Sequence, residues 1–350
     1  MRRLLAPLLL LLCPSLSQAE DVIQVWNWND YIAPQVLKDF EKDTGIRVEY
    51  RTFSTAEELD QALQSDAVID VAVPSHDTLP TLIKTGRLQP LDLSLLPNRQ
   101  HLDKAILSKL AAYDPQNRYA VPYLWGTVGL AVNVPQAEAA LGGPVPNSWN
   151  LLFDPAMSGK LASCGIAMID SSSEALAVLL NYQGRNLAHS SPKQLKRAGD
   201  TLASLRPNLR YIDSERYIAD LANGKLCVAF AWVGDALAAA DAGQPVRFLV
   251  PDEGSALFID NMVIPTSSKR ADLAHRFINY LLQPQVAALT SSEVLYPNPN
   301  KDASQFMDDN LQQQLAQVNT AKRRLFAPEA LPDKLEVAKE EVWSQFKGKP

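Results

Sequence analysis

The sequence predicts an α/β protein made of two lobes with a cleft between them. Strand-like and helix-like stretches alternate along the chain, as they do in parallel sheets covered by helices. The chain has 350 residues, a length that suits two domains better than one. Two extended stretches, at about 125–130 and 248–251, are long enough to cross between lobes. Two such strands form a hinge, which allows the cleft to close on a ligand.

Residues 1–19 predict a secretory signal peptide. Two arginines precede a short apolar run, and small residues stand one and three positions before Glu20. This arrangement is typical of an exported chain, and the apolar run is too short to span a bilayer. A lipid anchor at Cys13 is disfavoured, because Leu12 precedes it where a small residue is expected. We therefore expect the exported chain to begin at residue 20.

The first part of the chain has a β-α-β-α-β order. Apolar residues recur with helical spacing in two stretches, and Gly45 is a typical helix stop. This order favours a parallel sheet with helices on its faces. The predicted strands and helices cover residues 22–28, 33–45, 46–53, 55–65 and 68–75 in turn.

The remainder of the chain continues the alternation, with Ser214 as the candidate N-cap of one helix. Strands are predicted at 119–133, 159–170, 209–213, 225–232, 246–251 and 257–265. Helices are predicted at 173–182, 192–205, 214–224, 234–243 and 269–291, and in most of the C-terminal stretch. We expect lobe 1 to comprise 20–127 with about 249–298, and lobe 2 to comprise 128–248 with about 299–350.

The charge balance disfavours nucleic acid as a partner. Without the signal peptide the chain has 31 basic residues against 39 acidic ones. Phosphate binding requires a basic stripe, and the sequence has none. An acidic chain is more compatible with a cationic ligand.

Two cysteines, Cys164 and Cys227, remain after the signal peptide. An even number in an exported protein favours one disulfide, with two free buried thiols as the alternative.

The usual signatures of catalysis and of metal binding are absent from the sequence. Its four histidines lack metal-ligand spacing, and there is no glycine-rich phosphate loop and no Gly-x-Ser-x-Gly motif. We therefore expect no catalytic residues, no cofactor and no metal. A secreted glycosidase with paired carboxylates and tryptophan platforms remains the alternative from another class.

Acidic and aromatic side chains recur together where predicted strands end. Trp28 stands next to Asp30 in "WNWNDYI", Trp232 precedes Asp235, and Phe258 precedes Asp260. Ligands of open α/β sheets bind beyond the carboxyl ends of the strands, so these side chains are expected in one cleft. Aromatic walls and several carboxylates suit an alkyl chain that ends in ammonium groups. Further acids and hydroxyls at strand ends are Ser75, Asp77, Asp170 and Glu174.

The two tryptophans of the first strand are assigned different positions. We expect Trp28 at the cleft and Trp26 in the core, on opposite faces of the strand. Trp125 and Trp149 are interpreted as core residues.

A set of ordered stretches resembles a known family. They include "WNWNDYIAPQVLKDFEKDTGI", "VAVPS", "YAVPYLWGTVGLAVN", "LASCGIAMIDSSSEALAVLLNYQG", "CVAFAWVGDA", "LFIDNMVIP" and "YPNPNK". From about residue 22 to near the C-terminus, the chain resembles the periplasmic polyamine-binding proteins of ABC transporters, above all the putrescine-binding branch. The resemblance implies a two-lobed type II periplasmic binding-protein fold, with a mixed or parallel sheet flanked by helices in each lobe. It further implies a monomer that delivers a linear polyamine to a membrane permease without chemical turnover.

The resemblance also implies a set of ligand-binding positions. The aromatic members would line the alkyl chain, Asp235 would anchor one ammonium with help from Asp30 and Asp260, and Glu174 would meet the other end through water. The bridging cysteines of the family match Cys164 and Cys227. The full set is Trp28, Asn29, Asp30, Tyr31, Ser75, Glu174, Ser214, Trp232, Asp235, Phe258, Asp260 and Tyr296.

Four positions differ from the putrescine pattern or lie where diamine and triamine binders differ. Asn29 stands where a hydroxyl residue is usual, Asp77 and Thr78 replace a small polar and an aromatic residue, and Ser171 lies in a variable region. We expect these positions to influence ligand choice among putrescine, cadaverine, spermidine and agmatine. A ligand-loaded sensor that docks on a receptor remains a further alternative.

Overall fold

The computed structural model describes residues 21–320, 324–329 and 331–348. The predicted signal peptide and Cys13 lie outside the described residues. The strands are β1 (Val22–Trp28), β2 (Arg47–Phe53), β3 (Val71–Ala72), β4 (Ala120–Asn133), β5 (Ile166–Met168), β6 (Tyr211–Ile212), β7 (Val228–Trp232), β8 (Val246–Leu249), β9 (Ser255–Val263) and β10 (Leu325–Phe326).

Helices cover both faces of the strands. They are α1 (Pro34–Thr44), α2 (Ala56–Gln64), α3 (Leu79–Lys84), α4 (Lys104–Leu110), α5 (Val134–Leu141), α6 (Asn150–Phe153), α7 (Pro155–Leu161), α8 (Ser172–Tyr182), α9 (Pro192–Leu205), α10 (Arg216–Ala222), α11 (Val233–Asp241), α12 (Ala271–Leu281), α13 (Pro284–Val294), α14 (Asp309–Thr320) and α15 (Asp333–Lys347). Within the described residues, no helix is long and apolar enough to cross a membrane.

The strands form a mixed array in the order β2-β1-β3-β9-β4-β7-β5-β6, with β8 paired to β4 and β10 paired to β9. The pairs of β1 with β2 and β3, of β5 with β6 and β7, and of β9 with β10 are parallel. The pairs of β4 with β7, β8 and β9, and of β9 with β3, are antiparallel. Residues 120–127 of β4 pair with β9, and residues 128–132 pair with β7. The long strand β4 therefore belongs to both halves of the array, and the prediction of a mixed α/β fold is confirmed.

Two hydrophobic clusters lie on either side of this junction. The first surrounds β1, β3 and β9, and the second surrounds β5 and β7. Trp232 and Phe248 contact both clusters. Leu311, Leu315 and Val318 of α14 belong to the first cluster, although residues 299–350 were expected in the second lobe. These three side chains recur at helical spacing, so α14 presents one apolar face to the first cluster.

Three details of the predicted elements are wrong, each for a local reason. The stretch 159–170 contains the end of α7 before β5, because α7 begins at Pro155 with Asp154 capping its first turn. The predicted helix 269–291 divides into α12 and α13 at Pro284, which has no backbone N–H to continue a helix. Ser214 is not the N-cap of α10.

The first turn of α10 is capped by another residue. The Asp213 carboxylate accepts hydrogen bonds from the backbone N–H groups of Glu215 and Arg216, at 2.9 and 2.7 Å. Ser214 instead accepts a hydrogen bond from the backbone N–H of Asp170, at 2.9 Å. The hydroxyl thus joins two loops rather than starting a helix.

The predicted disulfide is present. Cys164 and Cys227 are bonded across a sequence separation of 63 residues, with Cα atoms 5.5 Å apart. The bond ties the loop after α7 to the residue before β7.

Candidate ligand-binding site

Asp260 lies in the middle of β9 and is buried, with 4% of its surface exposed. Tyr31 donates a hydrogen bond to it from its hydroxyl at 2.7 Å, and Ser75 donates another from the loop after β3. Burial raises the pKa of the Asp260 carboxyl to about 7, against the lowering effect of these hydrogen bonds. The negative charges of Asp77 and Glu174 raise it further. Asp260 is therefore an acid that changes charge near neutral pH.

Asp235 is a second carboxylate held by tyrosine hydroxyls. It stands in the first turn of α11, where it accepts hydrogen bonds from Tyr217 and, at 3.0 Å, from Tyr296. Burial raises the pKa of Asp235 to about 6, although both hydrogen bonds lower it. The helix N-terminus also favours a negative charge at this position.

Tyr296 links the two carboxylates. Its hydroxyl donates a hydrogen bond to Asp235, and its ring packs edge-on against the ring of Tyr31, with the ring centroids 5.3 Å apart. The hydroxyl of Tyr31 in turn donates to Asp260. The ring of Phe258 lies 6.0 Å from that of Tyr296. An aromatic wall thus runs between the two acids.

Two glycines allow these rings to approach the backbone. A Cβ atom at Gly234 would lie 2.1 Å from the Tyr296 ring, and one at Gly126 would lie 2.6 Å from the Phe258 ring. Real side chains do not tolerate such contacts, so any larger residue would displace the ring. The glycine that directly precedes Asp235 is therefore part of how the wall is placed beside the acid.

The two carboxylates are not matched by a cation within the part of the chain that the structure describes. Among the described residues, no lysine or arginine forms an ion pair with Asp235 or Asp260, and no positive charge lowers the pKa of either group. A carboxylate removed from water without a cation is costly unless it is protonated or receives one from elsewhere. The arrangement is suited to a ligand that brings positive charge.

Glu174 stands apart from this pair, near the start of α8. It accepts a hydrogen bond from Ser171, and burial raises its pKa against the effect of that bond. The negative charge of Asp77 acts on both Glu174 and Asp260. We name Asp77, Ser171 and Glu174 the distal acidic group. Thr78 follows Asp77 and donates its hydroxyl hydrogen to the backbone carbonyl of Ser75, at 2.8 Å.

Asn29 and Asp30 differ from the buried acids in their exposure. Both side chains are exposed, and the Asn29 amide donates a hydrogen bond to Ser54 at 2.7 Å. Asp30 has a left-handed backbone, with φ of 50°. This turn directs the chain from β1 to Tyr31, whose side chain does reach Asp260.

The assignment of Trp26 and Trp28 to opposite faces of β1 is wrong. Residues two apart on a strand share a face, and both side chains are half-buried, whereas Val25 before Trp26 and Asn27 between the two tryptophans are buried. The guanidinium of Arg51 lies over the Trp26 ring at 5.9 Å. Trp26 therefore lies at a sheet surface and not in the core, whereas Trp125 and Trp149 are buried as expected.

Trp28 and Trp232 remain candidates for the wall. The Trp28 ring packs against Phe53 with centroids 4.6 Å apart, and its indole N–H is buried without a partner among the described residues. Trp232 ends β7 and is half-buried, three positions before Asp235.

Sequence reasoning missed Tyr217 and Tyr123. Tyr217 is fully buried on α10 and donates to Asp235, and Tyr123 donates a hydrogen bond to the backbone carbonyl of Tyr31 at 2.7 Å. Both tyrosines occupy apolar positions of their elements, so the sequence offers only a core residue at each place. Their hydroxyls acquire a role because the fold brings a distant residue to them.

Comparison with known proteins agrees with this architecture. The family described as bacterial extracellular solute-binding protein matches residues 35–318. The chain is 36% identical to the putrescine-binding periplasmic protein PotF of Escherichia coli, over 95% of this chain and 93% of that protein. It is 40% identical to a putrescine/agmatine-binding protein of Pseudomonas aeruginosa, over 94% of this chain and 92% of that protein.

Solved structures give the same result. A putative spermidine/putrescine ABC transporter protein of Listeria monocytogenes superposes with a TM-score of 0.84 at 30% identity, covering 93% of this chain and 99% of that one. The spermidine/putrescine substrate-binding protein PotD of Streptococcus pneumoniae superposes with a TM-score of 0.80 at 27% identity, covering 94% and 99%. The fold is that of the type II periplasmic binding proteins, and the chain belongs to the bacterial extracellular solute-binding protein family.

Proposed function

We propose that this chain captures a linear polyamine of the putrescine or spermidine class in the periplasm and delivers it to the permease of an ABC importer. The observation that carries the proposal is the pair of tyrosine-held carboxylates, Asp235 and Asp260, joined by an aromatic wall and lacking any cation among the described residues. The names of the similar proteins support the same ligand class. The chain acts as a monomer and without chemical turnover.

The ligand is held by two kinds of contact. Asp235 receives one ammonium in a charge-assisted hydrogen bond, and Asp260 compensates charge on the other side of Tyr296. The methylene groups pack on the rings of Phe258, Tyr296, Trp232 and Trp28, where ammonium groups gain cation–π contact of about 0.5–2 kcal/mol. Glu174 contacts the other end of the polyamine through water.

Closure of two lobes completes the site. We take the two hydrophobic clusters as the cores of the lobes, with β4 and the chain between β8 and β9 as the hinge. Tyr31 belongs to the first cluster, as does Ile259, which directly precedes Asp260 on β9, and Tyr217 belongs to the second. A ligand bound to both sides would hold the lobes together and present a closed surface to the permease.

A thermal-shift screen tests the proposed function. Putrescine, cadaverine, spermidine, agmatine, amino acids and sugars are added separately to the purified protein, and a bound ligand raises the melting temperature. We expect shifts with the polyamines alone. A shift with a sugar and none with any polyamine would favour the glycosidase alternative.

Binding is expected to depend on pH through Asp235 and Asp260. Their pKa values of about 6 and about 7 lie above those of an unfolded chain, so these two groups favour the unliganded fold at low pH and lose that contribution as pH rises through 6–7. An ammonium ligand requires the ionised forms, so the ligand-induced rise in melting temperature should grow from pH 5 to pH 8. The measurement is a thermal-shift series with and without putrescine. A rise that is the same at both pH values would contradict the assignment.

Asp77→Ala is expected to weaken triamine binding more than diamine binding. Asp77 is an additional carboxylate within electrostatic reach of Glu174 and Asp260, and only a longer ligand extends a third ammonium toward it. Calorimetric titration of the variant with spermidine and putrescine measures the difference. Equal losses for both ligands would remove this role from Asp77.

A further inference from the structure

The C-terminal helix α15 packs against the loop that carries part of the distal acidic group. Side chains from successive turns of α15 form hydrogen bonds with side chains of residues 170–173. These contacts join Lys339 to Ser173, Glu340 to Ser172, and both Trp343 and Lys347 to Asp170. The residues that these bonds join are 166–177 positions apart in sequence. The placement of Ser171 and Glu174 therefore depends on a helix from the far end of the chain.

Lys339 is unusual among these contacts because it is a buried cation. Only 6% of its surface is exposed, and lysine is seldom buried unless it is paired. Its ammonium lies 3.0 Å from the Ser173 hydroxyl and 2.7 Å from the Glu336 carboxylate. Burial disfavours the charged form, but the carboxylates around it outweigh this effect and raise the pKa of Lys339. The side chain is therefore positively charged at any physiological pH.

The Lys339 charge acts on the distal acidic group. Asp77 helps to raise the pKa of Lys339, and Lys339 in turn opposes the raised pKa of Glu174. The two acids come from opposite sides of the cleft, since Asp77 follows β3 and Glu174 starts α8. This end of the site thus already contains a positive charge that belongs to the protein, whereas the Asp235–Asp260 end contains none among the described residues.

We propose that Lys339 is a specificity-determining residue, whose ammonium beside Ser173 opposes the third ammonium of a longer polyamine and so favours diamines. This inference rests on the proposed function. A diamine satisfies Asp235 and Asp260 without approaching Lys339. A triamine that extends to the distal acidic group brings an additional cation toward the Lys339 ammonium, which is held beside Ser173, and like charges repel where water is partly excluded.

Lys339→Met tests the inference. Methionine keeps an unbranched apolar chain of similar length, and the Glu336 and Glu340 side chains are 46% and 60% exposed, so neither is left as a buried unpaired charge. Calorimetry gives the affinities for putrescine and spermidine. We expect the preference for putrescine over spermidine to fall by about ten- to a hundred-fold, the size expected for like charges several ångströms apart.

Lys347→Met is the matched control. It removes an ammonium from the same helix and from a contact with Asp170 in the same loop, at 2.8 Å. Lys347 contacts Asp170 rather than Ser173, the residue that precedes Glu174, so the ratio of the two affinities should stay as in the wild type. An equal shift in both variants would mean that α15 acts only through the position of the loop, and would overturn the inference.

A comparison on the wild-type protein applies even if Lys339→Met does not fold. N-Butylputrescine has the shape of spermidine with a methyl group in place of the terminal ammonium. We expect it to bind more tightly than spermidine, because the repulsion from Lys339 outweighs the attraction of Asp77 for the third ammonium, and equal or weaker binding would overturn the role of Lys339. If Lys339→Met binds putrescine tightly and its ratio of putrescine to spermidine affinity equals that of the wild type, the role of Lys339 is refuted while the proposed function stands. Absence of binding by every polyamine would instead overturn the proposed function and this inference with it.

Discussion

Asp235→Asn is expected to weaken polyamine binding by about 30-fold to several thousand-fold, which corresponds to 2–5 kcal/mol for one partner of a buried charge pair. The amide keeps the shape of the carboxylate, and its one oxygen still accepts a hydrogen bond from one of the two tyrosines, Tyr217 or Tyr296, while its NH2 group can only donate to the hydroxyl oxygen of the other. It cannot supply the negative charge that a desolvated ammonium needs. Calorimetric titration with putrescine and spermidine measures the loss.

The stability of the same variant distinguishes a lost charge from a damaged fold. The pKa of Asp235 is raised to about 6, so its ionised form is less stable in the unliganded fold than in an unfolded chain. At pH 8 the Asn variant should therefore melt at the same temperature as the unliganded wild type or higher. Asp241→Asn, at the exposed end of the same helix, is the control and should bind normally. Wild-type affinity in Asp235→Asn would sink the anchor assignment.

Removal of the Cys164–Cys227 disulfide is expected to lower the free energy of unfolding by about 4 kcal/mol, the value given by the loop-entropy relation for a loop of 63 residues. The Cys164→Ala/Cys227→Ala double variant tests this by denaturant unfolding. Reduction of the wild type should give a similar loss.

Ligand affinity in the double variant should change little. Cys227 directly precedes β7, whereas Trp232 and Asp235 follow at the other end of that strand. The bond therefore stabilises the fold at a distance from the acids. If the free energy of unfolding falls by less than about 1 kcal/mol, the segment between the two cysteines is already ordered in the unfolded chain, contrary to the entropic explanation.

The elements of the fold were largely predictable because their signals are local. The strand β1 and the helix α1, which ends at Gly45 with a φ of 72°, follow from alternation, helical spacing and turn chemistry. The failures concern competition between neighbouring signals, as at Pro284, where one amphipathic pattern continues across two helices. The position of α14 against the first cluster depends on packing between distant segments, which no local pattern encodes.

The candidate site was predictable in its acids and less so in what holds them. Acids beside aromatics indicated Asp235 and Asp260, and the structure places both beside aromatic rings. The expected position at a strand end is wrong for Asp260, which lies inside β9 because that strand continues to Val263. The hydroxyl of Tyr217 and the ammonium of Lys339 gave no comparable signal. In the sequence, Tyr217 occupies an apolar position of a helix, and Lys339 is one of several charged residues on a helix whose polar face is expected in solvent. Each becomes significant only through a partner brought close by the fold.

The central claim is that this site selects a dication by charge as well as by shape. Calorimetric titration of the wild-type protein at pH 8 with putrescine and with 1,4-butanediol tests it most directly, because the diol has the same chain length and no charge. The structure predicts one putrescine bound per chain and no detectable binding of the diol. Equal binding of the two, or no binding of putrescine or any longer polyamine, would contradict the claim.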